Sequence, residues 1–266
     1  MKKFIQIIGI TLLLISTNLL AKTINDKSLN EIMDLSGIND QIAQYPSMAV
    51  MGMDQARAEN KTIPQEKFDK MKAVMYDAFK ADEMLKIIKK EIKQTTTQKD
   101  ADVLLTWYKS SLGKKITQAE KDATTPTAYM SMLKEAPVLL KNKKRVYFAR
   151  MIDRSINATQ MTIQIQKNTS VAVFTAMSKI MKPNEKVDVE KFKIIMAAQD
   201  KQMEAGIEQM MILSFVYSYK SISIENLEKY VVFLQKEDVK KFNKSVVNGI
   251  VKALNNSSKK MTKKLN

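Results

Sequence analysis

The sequence predicts an all-α protein, a multi-helix bundle of two related helical units. Three observations carry that expectation: only six glycines and five prolines occur in 266 residues, apolar residues recur at helical spacing, and capping signals stand ahead of the apolar runs. Strand-like alternation does not persist beyond a few residues. About eight to ten helices are expected.

The first element reads as an export signal. Lys2 and Lys3 form a positive start, Phe4 to Ile15 an almost unbroken apolar stretch, and Leu19-Leu20-Ala21 ends in a small residue suited to cleavage after Ala21. The apolar run is short for a span of about 20 residues, and polar Ser16, Thr17 and Asn18 follow it at once. A cleaved signal is expected, with an uncleaved anchor as the alternative, since Leu19 is less typical than alanine two residues before the cut. Removal leaves 245 residues with 42 basic against 28 acidic side chains, a net charge of +14. No later segment approaches 18 consecutive apolar residues, so no transmembrane segment is expected after cleavage. The absence of cysteine makes the periplasm the simplest destination, with secretion beyond it left open.

The helices follow in order. Ser28-Leu29-Asn30-Glu31 has capping-box form. Breaks are expected near Gly37, Tyr45-Pro46 and Asn60 to Ile63, after which Thr62 and Pro64 open a helix. From Phe68, steps through Met71, Met75, Ala78, Leu85, Ile88 and Ile92 predict one long amphipathic helix. A further break falls at Thr95 to Thr97. Thr117-Gln118-Ala119-Glu120 repeats the capping-box form, and Thr124 to Pro126, Met181 to Asn184 and Lys220 to Ser223 mark three more boundaries. A second long helix is expected over Val189 to Tyr219, with Met196, Met203, Ile207, Met210 and Tyr217 inward, and Ser223 precedes the run from Ile224.

The two halves of the chain resemble each other. Glu66-Lys67-Phe68 recurs as Glu190-Lys191-Phe192, and residues 97–115 run parallel to 223–241, pairing Trp107 with Phe233 and Lys114-Lys115 with Lys240-Lys241. Met33-Asp34-Leu35-Ser36 aligns with Ile152-Asp153-Arg154-Ser155. Three matches in one order at nearly one offset imply an internal duplication. The expected organisation is a signal over 1–21, a first helical unit over 22–140, and a diverged second unit with a basic tail over 141–266.

Residues 97–116, TQKDADVLLTWYKSSLGKKI, carry a pattern of a Thr-capped helix with acidic residues, a leucine, an aromatic pair, a serine, and a glycine ahead of a basic helix. This resembles the bacterial family called domain of unknown function 2059, with Thr97, Leu104, Trp107, Tyr108, Ser110 and Gly113 at the motif positions and Ser111 where the family usually has proline. Leu29 to Ile42 resembles the family's first helix, so the likeness is expected over about residues 28 to 120. It implies an exported helical protein without an assigned activity. Physically, Thr97 caps, Leu104 and Trp107 or Tyr108 bury the inner face, and Gly113 permits a left-handed or tight turn. The alternative makes Trp107, Tyr108 and Ser110 the wall of a ligand groove.

Composition removes most familiar chemistry. With no Cys and no His there is no disulfide framework, no thiolate or imidazole zinc site, no lipoprotein anchor and no imidazole base. Carboxylate pairs such as Asp100 with Asp102, or Glu66 with Asp69, sit where exposed or capping turns are expected, and the chain lacks a Walker loop and a G-x-S-x-G elbow. No catalytic residue and no cofactor is assigned. Met48, Met51 and Met53 form a weak candidate for a thioether Cu(I) site, against the reading of methionine as adaptable core filler. The basic patches Lys141 to Arg145 and Lys252 to Lys264 suit an anionic envelope surface better than nucleic acid, for which no motif is present. The expected function is a noncatalytic binding module at the cell envelope, with an envelope protein or anionic surface as partner. A small apolar-ligand or Cu(I) binder is the alternative, and a carboxylate-based hydrolase a more remote one.

Overall fold

Residues 22–25 tie the first helix to the middle of the chain. The Ile24 N–H donates to the Thr96 carbonyl (3.1 Å) and the Gln98 N–H to the Lys22 carbonyl (2.7 Å), an isolated bridge between Thr23 and Thr97. The computed structural model describes residues 22–59, 64–181, 187–198 and 200–265, and the expected signal segment and its cleavage site lie outside them. Among the described residues the structure is all-α, with thirteen helices and no strand.

The helices are α1 (Asp26–Leu35), α2 (Ile38–Glu59), α3 (Gln65–Ala78), α4 (Ala81–Thr95), α5 (Gln98–Lys109), α6 (Ser111–Asp122), α7 (Pro126–Leu139), α8 (Lys143–Ile156), α9 (Ala158–Met181), α10 (Val189–Ala198), α11 (Asp200–Ser218), α12 (Ile224–Leu234) and α13 (Glu237–Leu265). Local signals account for many of the ends. Gly37 takes a positive φ of 76° between α1 and α2, Thr97, Thr125 and Ser223 cap α5, α7 and α12 through their hydroxyls, and Pro126 stands at the start of α7.

Several expectations need correction. The long helix read from Phe68 to Ile92 is two, because Phe79 turns out of helical geometry and Lys80 is extended (ψ 124°), carrying the Phe79 ring into the core. Its apolar spacing continues across the corner because α3 and α4 face the same core. Conversely, Pro46 lies inside α2, where burial of its ring offsets the missing N–H. Asn25, not Ser28, caps α1, its Oδ1 accepting from the Ser28 N–H at 2.8 Å. Thr117 to Glu120 is no cap but the interior of α6. The expected helix over Val189 to Tyr219 is helical on both sides of residue 199, which lies outside the described residues, as α10 and α11; within it Ile212, Leu213 and Val216 are buried whereas Met210, expected inward, is exposed. The turn between α8 and α9 at Asn157, left-handed with φ 56°, carried no recognised signal. The expected breaks at Asn60 to Ile63 and beyond Met181 lie outside the described residues.

One main core runs through the molecule, and α13 is its spine. Phe242, Ala253, Leu254 and Met261 of α13 are buried in it, and α13 packs along α4, whose Met84, Ile88 and Ile92 are fully buried. The helices meet so closely that a Cβ on Gly249 would lie 2.8 Å from the Ile88 Cα. Polar ties reinforce the contact: Thr95 and Ser245 share a hydroxyl hydrogen bond of 2.5 Å and Lys252 pairs with the buried Glu91 at 2.5 Å, while Lys241 ties α13 to α5 through the buried Asp100 at 2.6 Å.

Contacts recur along the chain. α1 packs on α5 as α8 packs on α12, and α1 on α2 as α8 on α9. α2 packs on α3 and α4, and α9 on α10 and α11. Then the order crosses over: α13 lies on α4, and α6 touches α11.

Candidate functional site

The corner between α5 and α6 is built by the motif residues. The Asp100 N–H donates to the Thr97 hydroxyl (3.2 Å) and the Thr97 N–H to the Asp100 carboxylate (2.7 Å), a reciprocal capping box. Burial alone pushes the Asp100 carboxyl up, but the Lys241 ammonium and both Thr97 groups outweigh it and hold the carboxyl below its ordinary range. Leu104 is fully buried. Ser110 ends α5 and caps α6 at once, its hydroxyl donating to the Trp107 carbonyl (2.6 Å) and accepting from the Gly113 N–H (3.0 Å). Of the expected left-handed or tight turn, the corner is the tight one: Gly113 is helical, in the first turn of α6, and has no positive φ. It is needed because a Cβ there would lie 2.0 Å from the Trp107 carbonyl oxygen.

Aromatic packing leads inward from this corner. Trp107 stacks on Phe233 (4.2 Å between ring centres, 7° between planes) and on Tyr230 (5.8 Å, 11°); Tyr230 meets Tyr219 edge-on at 5.7 Å, and Tyr219 stacks on Phe215 at 6.1 Å. Trp107 and Phe233, aligned between the halves of the sequence, therefore meet face to face.

Beneath the corner lies a cavity of about 400 Å³, partly open to solvent, between the α1–α2 turn, α6, the start of α9, α11, α12 and α13. Tyr108 borders it; Trp107 and Ser110 do not. Glu120 points into it from α6. Both tyrosine hydroxyls donate to Glu120 Oε1, Tyr219 at 2.6 Å and Tyr230 at 2.9 Å. Burial pushes the Glu120 carboxyl up and the two hydroxyl bonds offset this in part, while burial and the neighbouring Glu120 charge push the hydroxyls of Tyr219, Tyr230 and Tyr108 up. At the rim Asp40 pairs with Lys121 at 2.7 Å.

Sequence reasoning missed this cluster. Glu120 was placed in a capping box, and its tyrosine partners lie 99 and 110 residues away. The one available signal was an acid following Ile116 and Thr117 on the buried face of α6.

The other candidates are placed less favourably. Met53 is buried in the core whereas Met51 is 59% exposed, so these two thioethers do not converge, and the Met48 side chain lies outside the described residues. Asp102 accepts from Gln98 and Asp69 from Gln65 on their own exposed helix turns. Much of the basic tail is engaged internally: Lys252 holds Glu91, Lys260 holds Glu83, and Lys264 holds Asp77. Arg145 donates to the Tyr219 carbonyl at 2.7 Å. Lys134, Lys141, Lys143 and Lys144 are exposed, as are Tyr129, Met130, Leu133, Val138, Leu140 and Tyr147 along α7 and the start of α8. No helix among the described residues is long and apolar enough to cross a membrane.

No curated protein and no solved structure matches the chain. The family likeness begins later than the expected residue 28 and runs further than the expected residue 120, leaving α1, α2 and α3 outside it and taking in α7. Residues 82–139, from the first turn of α4 through the corner and Glu120 to the end of α7, match the family described as "Uncharacterized protein conserved in bacteria (DUF2059)".

Proposed function

We propose that this is an exported, noncatalytic binding protein that acts at the anionic surface of the bacterial envelope through the face formed by α7 and the start of α8. The observation that carries this reading is that exposed apolar side chains, two of them tyrosines, alternate with exposed Lys134, Lys141, Lys143 and Lys144 along α7 and the start of α8. Apolar residues that insert beside lysines that meet head groups are the chemistry of interfacial attachment. Export is supported by the features of residues 1–21, and the anionic-surface reading by the net charge of +14 that would remain. An internal duplication, with units over 22–140 and 141–266, is supported by the recurring order of helix contacts and by the capping of α5 and α12 at aligned positions.

Co-sedimentation of residues 22–266 with vesicles tests the envelope reading. Binding to phosphatidylglycerol vesicles at low salt, little binding to phosphatidylcholine, and loss of binding in a Met130→Asp, Lys143→Glu, Lys144→Glu variant are expected. Equal sedimentation with both vesicle types, or an unaffected variant, would refute it.

A second reading is favoured by the cavity beneath the motif corner: a carrier of a small ligand with an apolar body, held between helices of the two units. Native mass spectrometry of the protein purified from its own cells, followed by release of bound material, is expected to yield one stoichiometric small molecule.

A further inference from the structure

We infer that the cavity beneath the motif corner binds an organic monocation with an apolar body, its ammonium group set against Glu120. This rests on reading the cavity as a ligand site and adds the charge class of the ligand. Three observations carry it.

The first is the treatment of interior acids. Asp100 and Glu91 are both buried, and each has a lysine, Lys241 at 2.6 Å and Lys252 at 2.5 Å. Glu120 has no basic partner among the described residues; two neutral hydroxyls donate to Oε1, and none of the described residues donates to Oε2. Asp153 and Asp238, half-buried to the same degree, likewise have no basic partner among the described residues, but neither lines the cavity, whereas Glu120 does. The rim pair of Asp40 and Lys121 neutralises itself.

The second is the aromatic surround. Tyr108, Tyr219, Tyr230 and Phe215 line the cavity on the side of Glu120 or beside its partners. Their ring faces attract a desolvated ammonium group, most of all one carrying methyl groups. A carboxylate-bearing ligand would meet the Glu120 charge instead.

The third is size and lining. About 400 Å³ lies within the range of small-molecule sites, and Met161, Met211, Leu234 and Val246 offer an apolar wall for the body of such a ligand. The two hydroxyls fix the Glu120 carboxylate in place before any ligand arrives, which lowers the ordering cost of binding.

Octyltrimethylammonium, octanol and octanoate serve as probes, with binding to residues 22–266 read by calorimetry and by emission of Trp107, the single tryptophan of the chain, stacked on Tyr230. The ammonium is expected to bind about ten-fold more tightly than octanol, the difference of a single charge interaction in a partly desolvated site. Glu120→Gln, which keeps an acceptor for both tyrosines, is expected to erase that advantage, so that the ammonium binds no more tightly than octanol. Ser214→Phe, which fills the cavity and spares Glu120, is expected to abolish binding of both probes. If octanol binds as tightly as the ammonium, or the ammonium preference survives in Glu120→Gln, the charge assignment falls while the cavity remains a ligand site. If no probe binds, both fall.

Discussion

Gly113 occupies a position where a methyl group has nowhere to go. Besides the Trp107 oxygen, its Cβ would meet the Trp107 carbonyl carbon at 2.8 Å and the Tyr108 Cα at 3.1 Å, all backbone atoms of the preceding helix. Gly113→Ala is therefore expected to cost about 3 kcal/mol, seen as a lowered unfolding midpoint in denaturant, since relief requires opening the α5–α6 corner. A fall below about 0.5 kcal/mol would mean that the corner yields. Asp100 gives a pH-dependent counterpart. Its carboxyl is held below the ordinary value, so the stabilisation from Lys241 and Thr97 is fully present above the unfolded-state pKa and is lost as pH falls through the folded-state pKa. Asp100→Asn is expected to lose about 1–3 kcal/mol at pH 7, with the gap to the parent protein closing below about pH 4. A gap independent of pH would assign the loss to packing. Glu120 has the opposite sign: its raised carboxyl makes ionisation unfavourable to folding as pH rises past the unfolded value, so Glu120→Gln is expected to fold at neutral pH at least as well as the parent.

At the scale of elements, α4 and α13 depend on each other through Gly249, Ile88 and the ties of Lys252 to Glu91 and Lys260 to Glu83. Gly249→Leu is expected to be among the most damaging single changes outside the motif, because the added side chain would start 2.8 Å from the Ile88 Cα and 3.3 Å from its Cβ. Hydrogen exchange in that variant is expected to accelerate in both helices together, and acceleration confined to α13 would refute the coupling. This contact also marks where sequence reading stops. The amphipathic spacing that placed Ile88 and Ile92 inward is local and was legible, as were the Thr97 and Ser223 caps, each set by residues within one turn. Gly249 was not legible, since nothing in its neighbourhood says that a helix 161 residues earlier in sequence lies against it. The same holds for Glu120: residues 117 to 120 have the letters of a capping box, and only the distant Tyr219 and Tyr230 distinguish a half-buried, cavity-lining carboxylate from a cap. The missed corner at Phe79 differs in kind. The apolar period survives a change of helix direction when both helices face one core, so spacing alone cannot reveal it.

At the scale of the whole molecule, the crossed packing of α13 on α4 and α6 on α11 bears on whether the two halves are separate domains. If each half were self-sufficient, α4 would be covered by helices of its own half. Instead Ile88 and Ile92 lie under a helix that begins at Glu237, the acids Glu83, Glu91 and Asp100 find lysines from that helix, and Glu120 of the first half is bonded to tyrosines of the second. Residues 22–140 expressed alone would expose this apolar face and leave Asp100 and Glu91 buried or half-buried without their counter-charges, a combination that stable domains avoid. The fragment is expected to be partly helical but to lack a cooperative unfolding transition, to bind a hydrophobic dye and to associate. Mixing it with residues 141–266 is expected to restore cooperative unfolding and to shift Trp107 emission to that of the intact chain, because Trp107 regains Phe233 and Tyr230. A first-half fragment that unfolds cooperatively by itself would show that the crossing decorates two independent domains rather than creating one body, and would place the cavity at a domain boundary free to open.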